Sequence, residues 1–421
     1  MHERFKSSFS APIGAKATLL IVYRVLQLTY RVPFPPTDGG AIGIFNITKG
    51  LKENGCDIDL VAINTPKHSQ PPGAMSNLAQ QHDVFVDTRI RPLYMLLNLL
   101  FSKEPYNTQR FYSQEVVLKL KELLTQNHYH YIHVDGAFVA RYITDIRNLS
   151  STPLLVRPHN IEYIIWERLS KSTRNPFKKW YFRSLGIRLM AFEKRWYALA
   201  DALAPITEND KQRLNELGIN KPMKVIPAGV VLDKYNGTTN ELKILNTLFS
   251  LSALDWLPNL EGLDWFIQQI WPSVVMNNPS VGLHIAGKST PSWMYDKKWK
   301  NTTIHGFVDD PVTFQQRYQL MLVPLLSGGG MRVKIVEGMA AGCCILSTSI
   351  GAEGIACEHG KNILIANSPE EWIEQINWAL SNPEACLQIG NNARLMAQTY
   401  YENKSVTSSY LQLISHISAI G

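Results

Sequence analysis

Apolar residues along this chain alternate between short uninterrupted runs and longer stretches where they recur every three or four positions. The runs read as buried strands and the spaced stretches as helices. Arg24–Tyr30 (RVLQLTY) predicts the first strand. The loop Arg31–Thr37, which holds three prolines, follows it and leads into Asp38-Gly39-Gly40. Next comes an amphipathic helix with Ile42, Phe45 and Leu51 on one side and Gly55 just past its end, then a strand over Cys56–Ile63. Strand, glycine turn, helix and strand form a βαβ unit, which requires a parallel sheet. Further strands are predicted at Tyr131–Asp135, Leu154–Arg157, Ala202–Ile206 and Lys224–Ile226.

The alternation then restarts. Strands are predicted at Thr247–Leu254, Gly282–Ala286, Thr303–Val308, Leu320–Leu326 and Cys343–Thr348, and helices at Asn259–Val275 and Met331–Ala341. Ser368-Pro369-Glu370-Glu371 carries the signature of a capping box. Two successive α/β sets imply two doubly wound domains joined near Ala228–Gly237. A length of 421 residues agrees with two cores. In such sheets ligands sit beyond the carboxyl ends of the strands.

Composition narrows the classes. Apolar residues make up 45% and charged residues 18%, which excludes disorder and coiled coil. The net charge of +7 is local: Ile164–Tyr197 holds nine basic and two acidic residues, and the remainder is balanced. A surface broadly built for nucleic acid is therefore not expected. Five cysteines without a CxxC pair fit reduced thiols rather than disulfides or structural zinc. No apolar run reaches the roughly 18 residues of a membrane span, and the early residues lack a signal cleavage site.

Three loops could carry chemistry. Gly39 and Gly40 would let a phosphate approach bare backbone at a helix N-terminus. Arg157-Pro158-His159-Asn160-Ile161-Glu162 places a polar cluster directly after a hydrophobic strand. In Ser327-Gly328-Gly329-Gly330-Met331-Arg332-Val333-Lys334, three glycines precede two cations in the first turn of a helix. Cations there oppose the macrodipole unless an anion is bound. Glu337 lies about one turn deeper, within reach of sugar hydroxyls. Asp309-Asp310 reads as a turn and helix start, Cys343-Cys344 as core, and the alternating His128, His130 and His133 lack the carboxylates of a metal site.

With these residues in view the chain resembles a retaining glycosyltransferase of family 4, whose GT-B fold sets two Rossmann-like domains face to face across a deep cleft. The resemblance runs from about Arg24 to the C-terminus. It rests on eight segments in order: PFPPTDGG, RPHNIEY, ITENDKQRL, VIPAGVVLDKY, LDWLPNLEGLDWF, LHIAG, IHGFVDD and VPLLSGGGMRVKIVEGMAAG. It implies an acceptor domain over 24–228, a nucleotide-sugar domain over 229–398, a helix over 399–421 packing back across the domains, and a loosely packed extension over 1–23. By position, Gly39 and Gly40 would face the donor diphosphate and His159 the reacting sugar. Arg332 and Lys334 would meet the phosphates, with Gly328, Gly329 and Gly330 around them. Glu337 matches the second Glu of the family's Glu-x7-Glu motif, and Gly306, Phe307 and Val308 would receive the nucleobase. The first Glu of that motif is replaced by Gly329.

The resemblance implies sugar transfer from a nucleotide-diphosphate donor to an acceptor hydroxyl with retention, without a metal or cofactor, in cell-surface polysaccharide or glycolipid synthesis. Catalysis would rest on His159, Arg332, Lys334 and Glu337. The changed motif leaves room for a nucleotide-sugar binder without transfer, or a 2-epimerase of the same architecture. A helix from about Lys178 to Leu199 puts Tyr181, Leu185, Leu189, Phe192, Trp196 and Leu199 on one face, opposite Lys179, Arg183 and Lys194. It either packs on the domain or brings residues 164–197 to anionic lipid, which suits a lipid-linked glycan acceptor. A cytoplasmic protein, peripheral on the inner face of the membrane, is the corresponding expectation.

Overall fold

The computed structural model describes residues 23–235 and 243–418. The extension expected over 1–23 lies outside them, apart from Tyr23. Six parallel strands build the first sheet: β1 (Arg24–Thr29), β2 (Asp57–Asn64), β3 (Gln80–Phe85), β4 (Tyr131–Asp135), β5 (Leu154–Arg157) and β6 (Ala202–Leu203). Six more build the second: β7 (Ile244–Leu251), β8 (Gly282–Ala286), β9 (Thr302–Gly306), β10 (Tyr318–Val323), β11 (Cys344–Ser347) and β12 (Leu364–Ile365). The strand orders are β3-β2-β1-β4-β5-β6 and β12-β11-β10-β7-β8-β9, the same doubly wound order used twice. The direction of winding reverses between β1 and β4, and again between β7 and β10, where crevices open at the strand ends.

Each sheet is buried on both faces. Leu26, Leu28, Val134 and Val156 belong to one core of the first domain, and Val25, Leu60, Tyr131 and Leu155 to the other. Neighbouring residues of a strand point to opposite faces, so a strand buried on both sides must be apolar throughout. That is why the hydrophobic runs were legible. Three differences from the sequence expectation have local causes. Lys224–Ile226 forms no strand, because only an isolated bridge from Leu203 to Met223 extends that edge. The helix expected over Asn259–Val275 is two, Leu257–Gln269 and Trp271–Asn277, since Pro272 cannot continue the ladder of the first. The segment Met331–Ala341 is helical only over Val333–Ala340, with Arg332 as its N-cap. The capping box at Ser368 and Glu371 forms, and Asp310 caps the helix Pro311–Arg317.

The last helix, Asn403–Ser418, returns to the first domain. Val406, Tyr410, Leu413 and Ile414 pack against Val25, Ile47 and Tyr131. Asn403 anchors the return: its backbone N–H donates to Val230 O at 3.0 Å and its Nδ2 to Asn46 O at 2.8 Å.

Candidate active site

The carboxyl ends of both sheets meet, and each brings a glycine-opened helix start. Asp38 caps the helix Gly39–Glu53 by accepting from Ala41 N–H, and Arg31 holds its carboxylate at 2.9 and 3.0 Å. Burial opposes the Asp38 charge, but Arg31 and the Ala41 N–H outweigh it and keep the carboxyl below its usual range. A Cβ added to Gly40 would lie 2.5 Å from Tyr30 Oη, so only glycine lets the helix start so close to that ring. A Cβ on Gly39 would sit 3.7 Å from Val333 Cγ2, at the start of the second domain's helix. Two helix N-termini thus face each other across the domain boundary, the arrangement that attracts an anion.

His159 stands just beyond β5, and its Nε2 hydrogen-bonds Asp135 Oδ1 at the end of β4. Asp135 is fully buried. Burial works against its charge, yet His159, His133 and Arg157 together hold it well below the ordinary carboxylate range. Gln27 Nε2 donates to Asp135 Oδ2 at 3.3 Å, and Thr48 Oγ1 donates to Gln27 at 3.0 Å. Burial pushes His133 down to about 4, so it is neutral at pH 7. The His159 ring meets Tyr30 edge-on at 5.9 Å, and its Nδ1 lies 3.8 Å from where a Cβ on Gly43 would be. The neighbouring Asn160 and the backbone of His159 press on Gly330, whose φ of 71° and missing Cβ admit them.

The second glycine loop follows β10. Gly328 and Gly330 have φ of 115° and 71°, and a Cβ on Gly329 would come within 3.1 Å of Ile165 in the first domain. Arg332 folds back over this loop, with Nη1 donating to the carbonyls of Gly329 and Gly330 and its guanidinium 5.6 Å from the Trp256 ring. The residue is buried, and its Nε and Nη2 find no acceptor. Burial draws its pKa down to about 10. Lys334 donates to Asn259 Oδ1 at 2.7 Å, and burial, with Arg332 nearby, lowers its pKa to about 7. Glu337 lies deeper along the same helix. Burial raises it to about 7 against the pull of Lys234. Gly306 closes β9 with φ 71°, close under Tyr295, and Phe307 beyond it is exposed.

The structure therefore gathers Gly39, Gly40, His159, Gly328, Gly329, Gly330, Arg332 and Lys334 around one boundary, while Gly306, followed by Phe307 and Val308, ends the edge strand β9, separated from β10 by β7 and β8. Asp135, Tyr30, Trp256 and Asn259 were not singled out from sequence. An aspartate ending an otherwise apolar run was the available signal for the first. Among the described residues no group of three or more His, Cys, Asp or Glu side chains is placed to hold a metal ion.

Comparison with known proteins agrees with the two-sheet fold. A family model described as Glycosyltransferase Family 4 matches residues 37–234, and one described as Glycosyl transferases group 1 matches residues 246–382. Together they span most of the chain, one on each sheet. A 44.6 kDa protein in the cps region of Klebsiella pneumoniae is 23% identical over 398 residues, 92% of this chain and 98% of that one. Sucrose-phosphate synthase from Thermosynechococcus elongatus has a similar fold, with a TM-score of 0.69 at 14% identity, covering 94% of this chain and all of that one. HepE of Anabaena, solved in complex with UDP, gives 0.65 at 14% identity over 93% of this chain and all of that one. Two sheets of the GT-B pattern, matched by the two family models, make this chain a glycosyltransferase belonging to the group 1, family 4 enzymes.

Proposed function

We propose that the chain transfers a sugar from a nucleoside diphosphate sugar to a hydroxyl of a glycan acceptor, with retention of anomeric configuration, in polysaccharide synthesis. The observation that carries this reading is Arg332: a buried guanidinium with two unmatched donors at the start of a helix. A buried cationic donor without a partner is costly, and a diphosphate supplies both the acceptors and the charge. The leaving diphosphate gathers negative charge as the glycosidic bond breaks. The helix starts at Gly39 and Val333, with Arg332 and Lys334, stabilise that charge without a metal. His159, held by Asp135, contacts the hydroxyls of the reacting sugar, and Glu337 those of the donor. Phe307 lies under the nucleobase.

Two relatives support the reading. The protein of the cps region points to polysaccharide synthesis, and the UDP complex of HepE to a nucleotide donor. The basic stretch 164–197 brings the enzyme to an anionic membrane surface on the side where donor is made, which suits a lipid-linked acceptor. A panel of nucleotide sugars, offered with glycan acceptors and read by mass spectrometry, tests the proposal. Hydrolysis or transfer with release of nucleoside diphosphate is expected from one donor. Inversion at C2 without release would make the protein an epimerase, and binding without turnover would make it a scaffold.

A further inference from the structure

The helix Pro92–Phe101 has no core to belong to. Its sequence, PLYMLLNLLF, carries no charge, and Asn98 is its only buried residue. Leu93, Leu96, Leu100 and Phe101 are 65%, 51%, 62% and 82% exposed. A helix that is apolar all round belongs in a protein interior or in lipid. Ten residues are too few to cross a bilayer, but enough to lie in its head-group region.

The helix is nonetheless firmly held. Arg188 Nη2 donates to Asn98 O and Oδ1 at 3.1 and 2.9 Å, and to Glu104 O at 2.7 Å. Arg188 belongs to the helix Pro176–Tyr197, whose buried face carries Leu185, Leu189 and Phe192. At 100° per residue, Phe177, Trp180 and Ile187 form a second stripe on the far side, and all three are exposed. That helix is therefore not divided into one apolar and one basic face. Its outer side mixes large apolar residues with Lys179, Arg183 and Lys194, and Leu199 lies beyond its end, exposed.

A cavity of about 450 Å³ opens beside the shorter helix, lined by Asp87, Arg89, Arg91, Tyr94, Phe101 and Arg110 among others. Asp87 is shared, 2.9 Å from both Arg89 and Arg91. Asp87 pairs with two of the three guanidiniums in the wall, and Arg110 donates to the carbonyls of Thr88 and Asn107, so the wall keeps a surplus of positive charge next to apolar side chains. Behind the cavity wall the rings of the first domain's core are packed in series. Arg110 lies 5.3 Å from the Phe111 ring, Phe111 is 5.0 Å from Phe138, and Phe138 is 5.3 Å from Tyr30, the neighbour of His159.

We propose that helix Pro92–Phe101 enters the head-group region of an anionic membrane and that the cavity beside it takes the phosphate of a lipid there. Leu93, Leu96, Leu100 and Phe101 meet the acyl boundary. Arg89, Arg91 and Arg110 meet the phosphate. The inference rests on the proposed function and names the surface by which that enzyme reaches a lipid-linked acceptor.

Sedimentation with vesicles of pure phosphatidylcholine, or with about one third phosphatidylglycerol, tests it. The parent protein is expected to bind the anionic vesicles. Leu93→Gln/Leu96→Gln/Leu100→Gln alters only exposed positions outside the cavity lining and should weaken binding roughly tenfold or more. Donor hydrolysis in solution should be unchanged by that variant, which separates failure of this surface from failure of the enzyme reading. Arg89→Gln/Arg91→Gln should reduce the preference for anionic vesicles. Three results would overturn the proposal: no vesicle binding by the parent, full binding by the triple variant with loss only in Lys179→Gln/Arg183→Gln/Lys194→Gln, or a parent dimer by light scattering that the triple variant dissolves.

Discussion

Asp135 shows how much one residue can organise. It accepts hydrogen bonds from Gln27 and His159, has Arg157 at 3.9 Å and His133 at 3.7 Å, and is fully buried. Asp135→Asn keeps the shape but leaves Arg157 buried without its counter-charge and only one acceptor oxygen for the two donors, Gln27 and His159. A loss of about 3–5 kcal/mol on urea unfolding is expected. Arg332 behaves in the opposite way, because its Nε and Nη2 have no acceptor in the free protein and burial works against its charge. Arg332→Ala should leave the melting temperature nearly unchanged while weakening nucleoside diphosphate binding about ten- to a hundredfold by calorimetry. Lys334 adds a pH dependence. Its pKa is lowered to about 7, so the free protein largely loses that charge in mild alkali. A bound diphosphate favours the charged form and raises the value again. Binding then takes up a proton, and affinity falls as pH rises from 7.5 toward 9.5, approaching tenfold per unit. Lys334→Arg stays charged throughout and should flatten that slope.

At the level of elements, the strands were readable where both faces of the sheet are covered, as in β1, β4, β5 and β8. β3 was not read because QQHDVF is half polar: it lies at the sheet edge, where one side needs no apolar partner. β12 spans two residues, too few to leave a pattern. The helix Pro92–Phe101 was missed for another reason. Its sequence is plainly apolar, but sequence does not state whether such a helix finds a core. The second glycine loop was legible because φ values of 115° and 71° at Gly328 and Gly330 demand glycine, and the first because Tyr30 Oη leaves no room for a Cβ at Gly40. The partners of those loops, Ile165 and Asn160, were not, since they come from a different domain. The helix Asn403–Ser418 makes a testable case. A Cβ on Gly50 would lie 2.0 Å from Thr407 Oγ1. Gly50→Ala should improve the local helix by up to about 1 kcal/mol, yet lose more by pushing the last helix off the first sheet. A lowered melting temperature is expected, partly recovered by adding Thr407→Ala. An unchanged one would mean that the last helix yields without cost.

For the whole molecule, the question is what brings the two sheets together without a ligand. Glu353, in the loop after β11, accepts from Arg168 through both oxygens at 2.6 and 2.8 Å and from Arg213 at 3.0 Å, both arginines being in the first domain. Arg168 also donates to Gly328 O, so the same clamp touches the glycine loop. Lys67–Asp255 at 3.2 Å and Lys288 to Thr37 at 3.3 Å add contacts on the other side. These partners lie more than a hundred residues apart in the chain, and no periodicity or spacing announces them. Exposed ion pairs contribute little, but a bidentate pair that is half-buried and shared by two arginines has the geometry of a latch. Burial opposes the Glu353 charge, and the two arginines outweigh it and hold the carboxyl below its usual range. With a depressed folded value, the contribution is complete above the ordinary carboxylate pKa of about 4.3 and fades only as pH falls through the folded value. Closure should therefore be insensitive to pH between 6 and 8. Glu353→Gln removes the charge at every pH and releases Arg168 and Arg213. Small-angle X-ray scattering at pH 7 should show a larger radius of gyration for this variant than for the parent, and nucleoside diphosphate should draw it back by joining the two helix starts. If the variant scatters as the parent does, with or without nucleotide, the glycine loop packed on Asn160 and Ile165 closes the molecule unaided.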